Sequence, residues 1–203
     1  MKNKKINIPE LFKLENVTLK RTEKSFAQER VKVLHENLEH VLEFLKFADS
    51  SYSIEDEYNY IESCAEKWNE GKTFDFSVFE NSTGKYIGSV SVMVKSKTRG
   101  EFEYGYWLAK GTTGKGYMTQ IIKALTEYLK TEYDPYRIII RCNDSNLNSA
   151  GVALRNDFLF EGRGFCGDLD DDYYTFVKIK NIKKAEHLKS IQQQLKQLFE
   201  LKI

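Results

Sequence analysis

Three glycines, Gly111, Gly114 and Gly116, punctuate the segment AKGTTGKGY, which follows the aromatic run EYGYWL. A short apolar strand that runs through such a loop into a helix can bind an anion. Glycines remove side chains from the loop, backbone N–H groups converge, and the positive end of the helix dipole faces the bound charge. A nucleotide P-loop would place Lys and then Ser or Thr directly after its last glycine, whereas Lys115 precedes Gly116 and Tyr117 follows it. The spacing also fails the G-x-G-x-x-G dinucleotide pattern, and much of the chain lies upstream, so a first Rossmann strand is excluded as well. One loop alone remains compatible with a plain helix entry that holds no ligand.

The elements around the loop narrow the choice. Met118, Ile121, Ile122, Leu125, Tyr128 and Leu129 recur at helical spacing over 118–133, Pro135 stops the helix, and RIIIRC at 137–142 suits a buried strand. In NDSNLNSAGVALRNDF, Asn146 falls at a helix entry and Ser149 about one turn further on the same face. Upstream, VTLKR at 17–21 reads as a first strand and 26–47 as a helical region with room for a break. A second helix over 54–70 is opened by Ser53 with Asp56 three residues on. FDFSVFE at 74–80, YIGSVSVMV at 86–94 and 101–108 form a β-meander, and late strands are expected at 160–167 and 173–180. The expected fold is α/β (α+β), a mixed, twisted central sheet with helices on both faces. One domain spans 1–203, with a core of about 14–180 and an extra helix at about 182–201.

Composition sets limits. With 203 residues, 41% of them hydrophobic, the chain can bury one sizeable core. A net charge of +1, from 31 basic and 30 acidic residues, argues against nucleic-acid binding driven by bulk charge. Cys64, Cys142 and Cys166 are widely spaced and odd in number, which suits reduced thiols and no metal site. His35, His40 and His187 are isolated on polar stretches. No stretch resembles a membrane span or a signal-peptide core, so a cytoplasmic location is expected. Leu188, Ile191, Leu195 and Leu198 form one apolar stripe on the last helix, suited either to packing on the body or to pairing with a second copy in a homodimer.

Taken together, EYGYWL, TTGKGYM, the N-x-x-S of Asn146 and Ser149, RNDF at 155–158 and FEG at 160–162 resemble the GNAT superfamily of acyl-CoA-dependent N-acetyltransferases, and within it the ribosomal-protein (Rim-type) branch. The similarity is strongest over 101–179. Two departures stand out: Gly111 replaces the usual Gln or Arg, and Asp157 replaces the Gly of R-N-G-F at a left-handed turn.

The resemblance implies acetyl-CoA as co-substrate and an amine as acceptor. It gives Trp107 and Leu108 to the pantetheine arm and the thioester oxygen, and Thr112, Thr113, Gly114, Lys115, Gly116 and Tyr117 to the pyrophosphate. Asn146 is given to the pantetheine amide. The Tyr that many members use to protonate the thiolate falls at Ala153, which leaves Ser149 as the acid. The base, acting through water, falls at Asp168, shorter than the Glu usual in the branch, with Glu103 as second candidate. The implied acceptor is a protein N-terminal α-amine. A polyamine, amino acid or aminoglycoside acceptor is the alternative within the same chemistry, and a non-catalytic acyl-CoA-binding module the alternative outside it.

Overall fold

Alternation along the strands, interrupted by register shifts at Val78/Phe79, Val94/Ser96 and Phe160/Gly162, builds a sheet with two differently used faces. The computed structural model describes residues 6–44, 49–166 and 171–199. Its eight strands run in spatial order β1-β2-β3-β4-β5-β6-β8-β7. They are β1 (Leu11–Lys13), β2 (Val17–Arg21), β3 (Thr73–Glu80), β4 (Tyr86–Ser96), β5 (Glu101–Leu108), β6 (Arg137–Asn143), β7 (Leu159–Cys166) and β8 (Asp171–Ile179). Every neighbouring pair is antiparallel except β5 and β6. That parallel pair is joined by the crossover helix α4 (Tyr117–Tyr133).

On one face, Phe74, Phe76, Val90, Val92, Phe102, Tyr104, Ile138 and Ile140 meet α4, whose Ile121, Ile122, Leu125 and Leu129 are fully buried. Each such side chain contributes about 1.5–3 kcal/mol of burial free energy. Helix α5 (Leu147–Arg155) completes this layer through Ala150, Val152 and Ala153. The opposite face carries α1 (Ala27–Glu36) and α3 (Ile54–Asn69), with short α2 (Leu38–Leu42) between them in sequence. At the far end of that face α6 (Ile182–Phe199) seats Leu188 against Ile139 and Val177. The side chains of Leu195 and Leu198 lie outside the described residues.

Local signals explain the element ends. Ser53 and Asp56 form a complete capping box on α3. Asp134, in the left-handed conformation, closes α4 just before Pro135. Asp157 takes φ 55°, the turn that the sequence asked it to make in place of a glycine. The break in the first helical region falls at Asn37, whose Nδ2 donates to Val33 O at 2.8 Å while its Oδ1 accepts from Lys110 N at 2.8 Å. One side chain thus ties the α1–α2 junction to the loop after β5. The strand expected first is second: β1 precedes it, three residues long and too short for its alternation to register.

Gly88 has a role that its sequence context hides. It sits in β4 with φ 145°, and a Cβ there would lie 2.2 Å from Trp107 O and 2.8 Å from Leu108 Cα. The end of β5 therefore lies directly against the Gly88 backbone. Gly88→Ala should lower the unfolding free energy by about 2–4 kcal/mol through backbone strain and overpacking. Urea titration reads this, and a loss below about 0.5 kcal/mol would mean that β5 shifts freely.

Candidate active site

The parallel ladder between β5 and β6 ends at the pair Tyr104–Ile140. Both strands continue past it. β5 stays bonded to β4 as far as Leu108, and β6 to β8 as far as Asn143. The facing edges therefore part, and a cleft of about 900 Å³ opens there, within the range usual for small-molecule sites. Trp107, Leu108, Thr112, Thr113, Gly114, Gly116, Tyr117, Asn146 and Ser149 all line it. An extended ligand carrying amide groups can pair with the parted edge as an added strand would.

At one end of the cleft lies the start of α4. Gly114 and Gly116 adopt φ 77° and 79°, which favour glycine, and a Cβ on either would meet nothing within 4 Å. The N-cap Gly116 offers no side-chain hydrogen bond, and Gln120 N is bonded back to Gly116 O. The N–H groups of Tyr117, Met118 and Thr119 are consequently without intrahelical partners. Helices α3 and α5, by contrast, have their starts capped by Ser53 and Asn146. The uncapped helix start and the open glycine loop fit a pyrophosphate.

Lys115 is turned elsewhere. Its Nζ lies 3.2 Å from Glu80 Oε1, which also accepts from Tyr117 OH at 2.8 Å. Hydrogen bonds from Tyr117, Thr83 and Lys115 hold the Glu80 carboxyl at about 2, well below the usual range. The glycine-loop backbone lines this end of the cleft, with the cationic side chains Arg141 and Arg155 on other walls.

Asn146 accepts from Ser149 N at 3.0 Å through Oδ1 and so fixes the first turn of α5. Ser149 Oγ lies 2.9 Å from Tyr106 OH. Burial pushes the Tyr106 phenol above its ordinary pKa and the Cys142 thiol up to about 11, so both groups stay protonated near neutrality. Glu103 is buried on β5 but lines neither of the two cavities described here. Arg141 Nη1 holds it at 3.1 Å and Lys95 Nζ at 3.5 Å. Asp168 lies outside the described residues.

A second cavity of about 520 Å³ lies against the other face of the same strands and shares Gly105, Tyr106 and Trp107 with the first. Its floor includes Asp75, paired with Ser91, and Ser89, whose own partner Ser77 is fully buried beside it. Its walls come from α1 and α3. Arg30 Nε meets Glu57 Oε1 at 2.6 Å, and Arg30 Nη1 donates to Ser77 and Ser89, each at 2.9 Å. Asp75 accepts from Thr22 Oγ1 at 2.7 Å and from Tyr60 OH at 3.0 Å. Burial raises the pKa of Asp75 against the pull of Arg30. Burial likewise opposes the charge on Arg30, but Tyr86, Asp75 and Glu57 around it hold its pKa above that of a free guanidinium. Asp56 and Glu57 together outnumber the single guanidinium in this chamber, so its field favours a cation. The acidic residues Glu55, Asp56 and Glu57 of the second helix are expected from the sequence on the acceptor side, and Asp56 and Glu57 line this chamber; Arg30, Asp75 and the phenol of Tyr106 are not singled out by the sequence. For Asp75 the sequence signal is the polar half of the β3 alternation, which does not distinguish solvent from an internal cavity.

A parted parallel strand pair, an uncapped helix start and a second chamber meeting them at Trp107 define a transferase that brings an extended, anionic carrier to an amine. The chain matches the acetyltransferase (GNAT) domain model over residues 22–159 and belongs to that family. It is an acetyl-CoA-dependent acyltransferase. It is 31% identical over 108 residues to the ribosomal-protein-serine acetyltransferase of Escherichia coli (strain K12), an alignment covering 51% of this chain and 59% of that one. It is 26% identical over 155 residues to Probable N-acetyltransferase YjcK of Bacillus subtilis (strain 168), covering 75% and 85% of the two chains. Among solved structures, RimL, a ribosomal L7/L12 alpha-N-protein acetyltransferase in complex with coenzyme A, shares the fold with TM-score 0.76 at 20% identity, over 84% of this chain and 98% of that one.

Gly114→Glu or Gly116→Glu should abolish the rise in melting temperature that acetyl-CoA produces, because a carboxylate there repels the pyrophosphate and strains the loop. A thermal shift that survives either substitution would remove the loop from the binding site.

Proposed function

We propose that the protein transfers an acetyl group from acetyl-CoA to the α-amine of a protein N-terminus, by direct attack in a ternary complex. The observation that carries this reading is the meeting of the two cavities at Gly105–Trp107. A thioester laid along β5 from one side faces an amine arriving from the other. The names of the E. coli relative and of RimL support a protein α-amine as the acceptor. The carboxylate-rich chamber favours an acceptor that arrives as a cation, and its bounded volume equally suits a small polyamine or amino acid, which is the second reading. The widely spaced thiols support a cytoplasmic setting.

The residues divide the work. Backbone groups of Trp107 and Leu108 and the Asn146 side chain orient the pantetheine, and an N–H near Trp107 faces the thioester oxygen as negative charge develops on it. Asp168 removes the amine proton through water, with Glu103 as second candidate. Ser149 gives its hydroxyl proton to the departing thiolate. Incubation with acetyl-CoA and a panel of free-N-terminal peptides, N-blocked lysine peptides, polyamines, amino acids and aminoglycosides tests the acceptor. Thiol release with the free-N-terminal peptides alone is expected. Turnover only on small amines would select the second reading, and a thermal shift without thiol release on any acceptor would make the chain a binding module.

Ser149→Ala should lower kcat at least tenfold and leave CoA affinity within a few-fold, since the proton is needed only as the thiolate leaves. An unchanged kcat would reduce Ser149 to a member of the α5 cap.

Asp168→Asn should depress the rate most below about pH 8, where an α-amine of pKa about 7.7–8.0 is still protonated, and less above it. A pH–rate profile parallel to wild type would assign Asp168 to acceptor positioning and pass the base test to Glu103→Gln.

A further inference from the structure

Ser149 Oγ carries one hydrogen and two lone pairs, and at the start of a helix that hydrogen can swing among several acceptors. Its surroundings restrict the swing. Asn146 holds the Ser149 N–H at 3.0 Å and so fixes the first turn that carries the hydroxyl. From β5, 43 residues away in sequence, Tyr106 brings its phenol oxygen to 2.9 Å from Ser149 Oγ, with Ser149 O a poorer partner at 3.4 Å. Tyr106 is also one of the residues shared by both cavities, and its side chain points to the α5 face of the sheet, where it meets Ser149. Either hydroxyl can donate across the 2.9 Å contact, and a buried phenol needs an acceptor, for which Ser149 Oγ lies nearer than Ser149 O at 3.4 Å.

We propose that Tyr106 is a positioning residue for the acid step: its O–H donates to Ser149 Oγ, occupies one lone pair, and leaves the Ser149 hydrogen directed at the sulfur in the cleft. The inference rests on Ser149 being the acid. As the tetrahedral intermediate collapses, the C–S bond breaks with its electron pair on sulfur and the Ser149 proton moves to that sulfur. Water carrying the proton released by the amine restores the Ser149 hydroxyl. Amine and thioester become amide and thiol with no net change in the protein. Throughout, the Tyr106 hydrogen bond stabilises the negative charge that develops on the Ser149 oxygen. Burial keeps Tyr106 protonated across the working pH range, so it acts as a fixed donor and not as a titrating one.

The test is a double-mutant comparison read in steady-state kinetics, with the acetyl-CoA thermal shift as the check on folding. Tyr106→Phe should lower kcat about five- to tenfold, leave the KM for acetyl-CoA within about twofold, and show the same deficit at every pH from about 6 to 9. Added to Ser149→Ala, it should cause no further loss, because its effect passes through the missing hydroxyl. Tyr106→4-aminophenylalanine, which returns an N–H donor to the same ring, should recover at least half of the lost rate. A full additional loss in the Ser149→Ala background, a change confined to KM, or no recovery with the amino analogue would each overturn the positioning role while leaving Ser149 as the acid. Ser149→Ala turning over like wild type would instead overturn the acid assignment, and the inference with it.

Discussion

Two parallel strands that stop pairing while both continue are the constraint on which this structure depends. A ladder broken inside a sheet leaves N–H and C=O groups that water or a ligand must satisfy. Here each strand keeps a partner on its outer edge, β4 for β5 and β8 for β6, so the break costs no strand its place in the sheet. Gly88 lets β4 lie against the end of β5 so closely that no side chain fits between them. The β1–β5 half of the sheet thus holds β5 while β6 departs with β8 and β7. The cleft follows from topology: α4 must cross over to make β5 and β6 parallel, and its start must then lie at the end of β5, where the parting begins.

The acceptor side rests on a different balance. Arg30, Glu57 and Asp75 are each about 95% buried, and isolated charges at that depth would cost several kcal/mol apiece. Hydroxyl groups of Thr22, Ser77, Ser89, Tyr52 and Tyr60 meet these charges in a connected network. Small serines and Gly105 on the sheet leave room above them, so the network lines a cavity where larger side chains would have filled a core. Stability and acceptor recognition therefore draw on the same residues.

Much of this was legible in the sequence because it is local. Glycine spacing gave the loop, helical periodicity gave α4, and the N-x-x-S pair gave the start of α5; each depends on residues within a turn or two of one another. What escaped is nonlocal. Tyr106 stood in the quoted motif, yet its phenol contact with Ser149 spans 43 residues. The clamp from Asn37 to Lys110 spans 73. The salt bridge of Lys115 to Glu80 crosses 35 residues and is likewise not legible from the loop alone. Polar alternation in β3 and β4 was seen, but only the packing of α1 and α3 over it shows that it faces a chamber.

The turned Lys115 bears on how the cleft holds its ligand. A lysine beside the pyrophosphate would add a mobile point charge whose pairing with Glu80 would have to break on binding. With that pair intact, the anion meets the N–H groups at the start of α4, which are fixed by the helix and need little reorganisation. The same logic runs along the cleft, where the pantetheine would meet backbone from β5 and the sulfur would meet a hydroxyl held by Asn146 and Tyr106. Rigid groups can be complementary to a transition state only if they are in place before it forms. In this chain the parted strands supply that preorganisation, and the side chains that complete it arrive from the elements the parting brings together.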